Sequence, residues 1–457
     1  MAQRTTPTTL AIAIALASLG GNALAESITP NLQVNGFVTA GGTWISEDYG
    51  STYLGNPYLP ASGFDEKGSY QHDSVLGIQL SYAFNDKVDL VGQLVASGQN
   101  NYETEAEWAY VAYRINDNVR VRAGRFAAPF FMYTESLRVG QSYPWARPPV
   151  ELYGGIPINS INGIDLLYRL PVGGWNLDAQ VMLGGAENSY VKIDNSRGLN
   201  INLSNDALSL HAGYSESDVD ISIAKDPFGN SSEQLAYLLN AYGVDIDTDG
   251  EDASFADVGF IYDDGAWMLS GEFGQLRIKG FASDVDAGYV TLGHYFGKWL
   301  PYVVASKVNT VKADECLSEL APAVSNAGAL AGQASAAQAQ ADAAAATLLA
   351  QYMGTFDPVD LANYTTAAIV AAQVGQAATD AAAGQAALNG AAAITCAGKE
   401  QTTYSAGFRY DATKNVSVKL QVDHVRDFNG TPGYFAGAVP PAGDSVQVFS
   451  VNINAAF

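Results

Sequence analysis

Arginines alternate with valine along one short segment of the chain. Arg120 and Arg122 flank Val121, and Arg125 follows near the end of the segment. In an extended strand every second side chain points to the same face, so Arg120 and Arg122 share a face. Four more charged residues follow in the next segment: Glu135, Arg138, Arg147 and Glu151. Fixed charges of this kind are suited to selecting solutes by charge, provided that the fold gathers them around one passage.

A second group of residues has the spacing of a metal site: Asp245, Asp247 and Asp249, followed by Gly250. The D-x-D-x-D-G pattern is that of calcium loops, in which carboxylates wrap one hard cation. The twelfth position is Ala256 rather than glutamate, which excludes an EF-hand. Segment 215–253 holds ten carboxylates and one lysine. Two interpretations stay open, a calcium site within 245–252 and an acidic solvated loop.

Catalytic motifs are missing from the sequence. The four histidines are His72, His211, His294 and His424. No G-x-S-x-G, H-E-x-x-H or phosphate-binding loop occurs, so neither a nucleophile elbow nor a zinc protease motif is present. The sequence therefore predicts a protein that is not an enzyme. A serine and a histidine brought together from separate strands stay open as an alternative.

Composition excludes two large classes of protein. The 457 residues include 23 Lys+Arg and 47 Asp+Glu, a formal net charge of −24, which repels the phosphates of nucleic acids. No apolar run of the roughly 20 residues that a membrane helix needs occurs beyond the first two dozen positions. We therefore expect no nucleic acid partner and no helical membrane protein.

The N-terminal segment has the pattern of an export signal. Arg4 supplies a positive charge, Leu10–Leu19 forms an apolar core, and Ala23-Leu24-Ala25 gives a small-x-small cleavage site. This predicts a signal peptide over 1–25 and a mature chain of 26–457, the alternative being a short buried helix. Export to an oxidising compartment favours a disulfide between the two cysteines of the chain, Cys316 and Cys396.

A period of two runs through the mature chain. In Ser74–Phe84 the even positions are large and apolar from Leu76 onward, while the odd positions are small or polar except Val75. Sixteen such strands can be placed, near 32–45, 73–84, 87–98, 105–115, 119–126, 161–170, 174–185, 197–203, 206–214, 254–263, 266–278, 285–296, 299–311, 402–411, 415–427 and 445–457. Every second connection is a tight turn such as Asp264-Gly265, and the long ones are 46–72, 127–160, 215–253, 312–401 and 428–444.

Short turns on one rim and long loops on the other are typical of outer-membrane barrels, and an even strand count closes the sheet without an edge. We therefore predict an all-β fold, a transmembrane antiparallel barrel of sixteen strands that is apolar outside and polar inside. Arginines of such a barrel should face water, because a charge facing lipid costs a few kcal/mol. A soluble all-β secreted protein is the alternative.

The mature chain resembles the Gram-negative porins of the general diffusion type over its whole length. The resemblance begins at Val34-Asn35-Gly36-Phe37, includes Ala123-Gly124-Arg125-Phe126, and ends in alternation to the terminal Phe457. It implies an outer-membrane homotrimer that passes small hydrophilic solutes passively and lies among lipopolysaccharide. It also implies that Phe457 is the signal read by the barrel-assembly machinery.

The segment 127–160 stands where porins fold their third loop into the lumen. It is rich in proline and aromatic residues, which lose little entropy on ordering, and this favours a constriction over an exposed loop. The resemblance implies a basic wall of Arg120, Arg122 and Arg125 facing Glu135 and Glu151, with Arg138 and Arg147 also on the loop. Other residues expected to face the lumen, as solvated side chains, are Asp73, Gln93, Asp165, Arg169, Asp178, His211, Asp257, Arg409, Lys419 and Asp423.

Between the two cysteines, in segment 312–401, the strand pattern gives way to alanine-rich sequence that favours helix. Gly354 to Asp360 reads as a helix stop followed by an aspartate cap, Pro358 in the first turn and an acid after it. We predict a helical hairpin inserted in an extracellular loop and projecting outward, with a disordered low-complexity insert as the alternative. Alternatives for the whole protein are a substrate-selective channel, a barrel hydrolase and a surface adhesin.

Overall fold

The computed structural model describes residues 26–46, 52–53, 63–156, 158–188, 191–221, 250–279, 284–311, 313–396, 399–431, 433–436 and 445–457. Only the backbone course is given for 26–29, 52–53, 221, 313–320, 322–324, 383, 386–396 and 436. These residues fall into two compact units. One contains all the long strands, and the other contains the insertion between residues 312 and 397.

Sixteen long strands make up the first unit over the described residues. They are β1 (Leu32–Ile45), β2 (Val75–Asn85), β3 (Val88–Ser97), β4 (Thr104–Arg114), β5 (Val119–Ala127), β6 (Ser160–Val172), β7 (Trp175–Glu187), β8 (Val191–Ser204), β9 (Leu208–Ile221), β10 (Glu251–Asp263), β11 (Trp267–Ile278), β12 (Asp284–His294), β13 (Trp299–Val311), β14 (Gln401–Asp411), β15 (Val416–Arg426) and β16 (Ser445–Ala456).

Each strand pairs antiparallel with the next, and the last pairs with the first. The closing ladder between β16 and β1 places Phe449 opposite Trp44, with their rings stacked at 5.6 Å. Closure leaves no strand edge with unpaired backbone groups. Short strands add to this frame: Glu26–Thr29 pairs with the start of β1, and Thr52–Tyr53 pairs with Phe435–Ala436. The predicted sixteen-stranded barrel is confirmed.

Side chains on the strands are apolar outside and polar inside. On β2 the side chains of Leu76, Ile78 and Leu80 are exposed on the outer face. Side chains on the inner face are buried although many of them are polar, for example Lys419 of β15 and Asn452 of β16. An inverted pattern of this kind suits a wall with lipid on one side and water or polar chain on the other. The barrel therefore spans the outer membrane.

Turns and loops alternate around the barrel. The connections on one rim are tight turns, with Gly265 and Gly297 at positive φ of 78° and 64°, a conformation that favours glycine. On the other rim the connections after β3, β7 and β11 are also short; the predicted strand bounds already gave short connections after β3 and β11, but left 186–196 between β7 and β8. The strands β8 and β9 are longer than predicted. On β8 a bulge at Asn195, φ 49°, breaks the alternation on which the prediction rested.

The third loop connects β5 to β6 and covers residues 128–159. It contains two 3-10 turns, Thr134–Ser136 and Gly140–Ser142, and the one-turn helix α1 (Val150–Tyr153). Its aromatic side chains, such as Phe131 and Trp145, belong to the buried apolar cluster of the barrel. In that cluster they pack with strand residues that face inward, such as Phe255 and Tyr289. The core of this unit is thus a loop packed on the inner wall.

The second unit is an antiparallel pair of long helices, α2 (Ala313–Thr355) and α3 (Pro358–Cys396). Asp357 caps α3 by accepting a hydrogen bond from the Val359 N–H at 2.7 Å. Ala331 and Ala378 are among the buried alanines that allow close packing. The predicted helical hairpin is confirmed. In the part of the chain described here, no helix is both long and apolar enough to span a membrane.

Candidate pore constriction

Aromatic rings fix the third loop against the inner wall. The ring of Phe131 packs edge-on against Phe255 of β10, with ring centroids 5.1 Å apart. Trp145 is completely buried, packs edge-on against Tyr289 of β12 at 5.2 Å, and donates its indole N–H to Thr291 Oγ1 at 2.9 Å. The predicted exposed-loop alternative is therefore wrong, since these rings lie inside the barrel.

A buried lysine holds the backbone of the loop. The ammonium group of Lys419 on β15 donates to three carbonyl oxygens, those of Gly140, Tyr143 (2.6 Å) and Trp145 (2.9 Å). All three of its N–H donors are used in this way. Arg409 on β14 donates to the Tyr143 carbonyl as well, at 3.1 Å. Lys419 and Arg409 thus bind the loop and are not the solvated lumen residues that the sequence predicted.

The peptide of Ala146 is bound from three strands. Its N–H donates to Gln421 Oε1 of β15 at 3.1 Å and to the Tyr302 hydroxyl of β13 at 3.2 Å. Asn452 of β16 donates its amide N–H to the Ala146 carbonyl oxygen. Because both backbone groups of a buried peptide are satisfied, this stretch of loop is fixed in place.

Arg147 binds the wall through charge. Its guanidinium donates to Asp73 Oδ2 at 2.7 Å and to Thr43 Oγ1 at 2.6 Å, and its Cζ lies 4.8 Å from the ring centroid of Phe64. Asp73 precedes β2, so this ion pair joins the third loop to the first. Burial by itself raises the pKa of Asp73, but Arg147 and His72 together lower that pKa below its usual range.

Glu151 in α1 is satisfied by neutral donors. Its carboxylate accepts hydrogen bonds from Ser306 of β13 at 2.8 Å and from two residues of β14, Gln401 at 2.6 Å and Thr403. Glu151 is 1% exposed. The structure thus brings Glu151 to β13 and β14, whereas the resemblance implied an arrangement facing the arginines of β5.

Glu272 of β11 is a further anchor, and the sequence analysis missed it. One carboxylate oxygen accepts the backbone N–H of Met132 at 2.8 Å, and the other accepts the hydroxyl of Tyr153. Its position on the inner face could be read from strand parity, but nothing in the local sequence indicates that it meets residues more than a hundred positions away.

Arg122 of β5 stands at the centre of the charged wall. Its Nε donates to Asp165 Oδ2 of β6 at 3.0 Å, and its Nη1 donates to Glu135 Oε1 of the third loop at 3.1 Å. Gln180 of β7 also donates to Asp165 at 2.7 Å. Wall arginine and loop carboxylate therefore meet at this one predicted pair.

Two further ion pairs flank Arg122. Arg120 Nη2 lies 3.0 Å from Asp89 Oδ2 of β3, and Arg138 Nε of the third loop lies 3.6 Å from Glu107 Oε1 of β4. With Arg122, this makes three arginines that face four carboxylates. The wall is thus compensated in charge, with a small acidic excess.

Arg125 lies apart from this group. In register it stands opposite Asn162 of β6, and two positions from it Ala123 stands opposite the exposed Ile164. Because every second residue of a strand shares a face, Arg125 belongs to the outer face and Arg122 to the inner one.

The open part of the interior lies along one side. Inner side chains of the last strands are buried beneath the third loop, among them Thr291, Ser306, Thr403, Lys419 and Asn452. Inner side chains of β2, β3, β5, β7 and β8 keep partial exposure, among them Gln79, Asp89, Arg120, Gln180 and Asn202. The passage left by the loop therefore runs along this polar wall, past Arg120 and Glu135, with Arg122 buried beside it.

Phe457 closes the barrel at the chain end. Its backbone N–H donates to the Gly36 carbonyl at 2.9 Å and its carbonyl accepts the Gly36 N–H at 2.7 Å. A methyl group at Gly36 would lie 2.4 Å from the Phe457 ring, so only glycine allows this packing.

Several predicted features lie outside the described residues. They are the signal peptide 1–25, the side chains of Cys316 and Cys396, and the aspartates Asp245, Asp247 and Asp249. Among the residues that the structure does describe, no group of three or more His, Cys, Asp and Glu could hold a metal ion.

Comparison with known proteins gives similar structures only. No family model and no curated protein matches the chain. The outer-membrane expressed OmpT of Vibrio cholerae is 11% identical, with 94% of this chain and 99% of that chain covered and a TM-score of 0.49. Salmonella typhi OmpF in complex with daunomycin is 12% identical, with 93% of this chain and 98% of that chain covered and a TM-score of 0.47. The outer membrane channel DcaP of Acinetobacter baumannii is 9% identical, with 95% of this chain and 100% of that chain covered and a TM-score of 0.47.

Proposed function

We propose that the chain forms a water-filled channel in the outer membrane of a Gram-negative bacterium, through which small hydrophilic solutes diffuse passively. The observation that carries this proposal is the third loop, which is tied inside the barrel and leaves a polar wall open beside it. Sixteen strands enclose a lumen wide enough for water, so an inward loop has to set the size limit.

The charges at the narrow part support weak selectivity. Arg122 is neutralised by Asp165 and Glu135, and the flanking arginines are each paired with a carboxylate. Arg122 and Asp165 are themselves buried, so a solute passing here meets mainly Glu135, Arg120 and Asp89. These charges of both signs orient polar molecules without rejecting one sign of ion. We therefore infer a general diffusion channel with a slight preference for cations.

A channel selective for one solute class is the second candidate, since loop aromatics could stack a sugar or an aromatic acid. The packing disfavours it. Tyr133 and Tyr143 each pack against Trp145, at 5.4 and 5.8 Å, and all three rings are buried. Rings that cover one another offer no face to a solute.

The decisive experiment is conductance of the refolded mature protein in a planar bilayer, with folding checked by heat-modifiable migration on gels. We expect stable, discrete steps and a reversal potential slightly on the cation side in a salt gradient. A folded barrel without conductance would overturn the channel and would favour a surface adhesin. An esterase assay on the same sample tests the proposal that the protein is not a hydrolase.

Further proposals rest on the resemblance to porins. We propose export by the signal peptide, assembly through the terminal Phe457, a homotrimer, and lipopolysaccharide around the loop rim. Cross-linking in native outer membranes tests the trimer. A calcium site at Asp247 and Asp249 is tested by thermal unfolding with and without calcium, because a ligand that binds only the folded state stabilises it. Asp247→Asn with Asp249→Asn should abolish any such stabilisation.

A further inference from the structure

A cleft lies between the third loop and the wall formed by β16, β1 and β2. Its volume is about 150 Å³, which gives room for about five water molecules. Thr39, Val75 and Asn452 line it from the strands, and Arg138 and Pro148 line it from the loop. Because Val75 is the first residue of β2, directly after the first loop, the cleft lies toward the loop rim. It therefore belongs to the loop-rim mouth of the proposed channel.

Arg138 brings unused hydrogen-bond donors to this cleft. Its side chain is 23% exposed, and its Nε lies 3.6 Å from Glu107 Oε1, which is an ion pair but too long for a hydrogen bond. Within the part of the chain that the structure describes, the guanidinium has no hydrogen-bond partner. A guanidinium has five N–H donors in a planar fork that matches a carboxylate. Arg138 thus offers a place for the carboxylate of a solute.

Asn452 brings an unused acceptor from the wall. Its amide N–H donates to the Ala146 carbonyl, which fixes the orientation of the amide group, and its Oδ1 is buried without a partner among the described residues. Gly41 stands opposite Asn452 in register, and a methyl group there would lie 2.8 Å from Asn452 Oδ1 and 2.5 Å from Asp73 Cβ. The bare backbone at Gly41 therefore leaves this oxygen next to Asp73. A buried acceptor without a donor costs free energy, so a donor group of a solute is favoured here.

The charges that line the cleft favour a solute that carries both signs. Asp73 and Arg147 both line it and are joined by two hydrogen bonds of 2.7 and 3.2 Å, so this pair is neutral. His72, the other titratable residue of this side, lies 3.7 Å from Asp73. A simple anion would satisfy Arg138 and leave the oxygen of Asn452 without a donor. A simple amine would do the reverse.

We propose that the cleft binds a small zwitterionic amino acid, with its carboxylate at Arg138 and its ammonium group at Asn452 Oδ1 beside Asp73. The volume limits the solute to one with a short side chain. A weak site of this kind concentrates one class of solute at the mouth without excluding others. The proposal rests on the channel proposed above, since it names a solute class that the channel would take.

Binding is tested on the refolded barrel in detergent by saturation-transfer NMR titration with three probes of the same shape. They are L-alanine, L-lactate, which lacks the ammonium group, and isopropylamine, which lacks the carboxylate. We expect L-alanine to have the lowest dissociation constant. Arg138→Gln should raise the dissociation constants of L-alanine and L-lactate about tenfold, as expected for a lost hydrogen-bonded ion pair, and leave that of isopropylamine unchanged. Arg114→Gln, exposed at the opposite end of the barrel, is the control.

A second variant tests the cleft independently of its charges. Val75→Phe narrows it and should weaken the binding of all three probes, while folding is checked by heat-modifiable migration. Equal affinity for L-alanine and L-lactate, or an Arg138→Gln barrel that binds L-alanine as tightly as the Arg114→Gln control, would overturn the proposal. Conductance is measured on the same preparation. A barrel that conducts but does not bind L-alanine overturns this proposal alone, and one that binds L-alanine but does not conduct overturns the channel alone.

Discussion

Arg147 of the third loop and Asp73 of the first loop form a buried ion pair, with Nη2 2.7 Å from Oδ2 and Nε 3.2 Å from Oδ1. Both side chains are less than a tenth exposed. The pair connects the third loop to the wall at β1 and β2. Removing one member leaves the other charge buried, which is usually strongly destabilising.

We expect Asp73→Asn to lower the free energy of unfolding at pH 7 by about 3 kcal/mol, in line with broken buried pairs. The folded-state pKa of Asp73 lies below its usual value, so this stabilisation is present above about pH 4 and is lost as the pH falls through the lowered pKa. Urea unfolding of wild type and variant at pH 7 measures the loss of unfolding free energy, and the same comparison at pH 3 measures how far that difference shrinks at low pH. Asp86→Asn in the exposed turn after β2 is the control. An Asp73 effect that stayed constant down to pH 2 would contradict the assignment.

Lys419→Met should loosen the third loop without changing the barrel. The variant keeps the length of the side chain but leaves the carbonyls of Gly140, Tyr143 and Trp145 without their common donor. Each lost buried hydrogen bond costs about 1 kcal/mol or more. We expect noisier open-channel current and closure at lower voltage in planar bilayers. Lys414→Met in an exposed turn is the control, and a current as quiet as wild type would show that the loop does not depend on Lys419.

Arg122 and Arg125 should differ in their effect on ion selectivity. Arg122→Gln leaves Asp165 and Glu135 uncompensated at the narrow passage, so the reversal potential should move toward cations. Arg125→Gln should leave it unchanged, because this residue belongs to the outer face. The resemblance to porins implied that both arginines face the passage, and so implied a shift from both. Equal shifts from the two variants would mean that Arg125 also faces the passage.

The barrel could be predicted because its signals are local. Alternation within one strand and turn residues between two strands both lie within a few positions, and closure follows from the even count. Where the alternation is interrupted, as by the bulge at Asn195, the predicted strand was too short: β8 was predicted from 197 and begins at Val191. The charged wall was predicted in part, since Arg122 does meet Glu135.

Anchors of the third loop could not be predicted in the same way. Strand parity shows that Lys419 and Glu272 face inward, but it does not show what they meet. Lys419 binds Tyr143 across 276 positions and Glu272 binds Met132 across 140. Glu151 is the clearest case. Its partners are the neutral donors Ser306, Gln401 and Thr403, residue types that carry no charge to suggest the pairing.

Two glycines of the helical hairpin should respond oppositely to substitution. A Cβ on Gly375 would lie 3.0 Å from the amide nitrogen of Gln338 on the facing helix, whereas a Cβ on Gly332 meets nothing within 4 Å. Gly375→Leu should therefore lower the melting temperature of the helical circular dichroism signal. Gly332→Ala should raise it, because alanine is favoured over glycine by about 1 kcal/mol in a helix. If both variants melted alike, the helices would not pack at this level.

The same contacts give the register of the hairpin toward its base. Gly328 lies beside Gln385, and Gly375 lies beside Gln338, so both pairs belong to one alignment of α2 against α3. In the sequence, Cys316 and Cys396 lie toward the two ends of this hairpin segment, in a chain that is predicted to be exported to an oxidising compartment.

We therefore expect Cys316 and Cys396 to be joined in the exported protein. Alkylation before and after reduction, followed by mass spectrometry, should show two blocked thiols that become free only with reductant. A bond that closes a loop of this length can contribute roughly 4 kcal/mol, so reduction should lower the melting temperature of the helical signal and leave heat-modifiable migration of the barrel unchanged. Cys316→Ser with Cys396→Ser should melt like the reduced protein and be insensitive to reductant. Free thiols in protein taken from intact outer membranes would contradict the predicted disulfide.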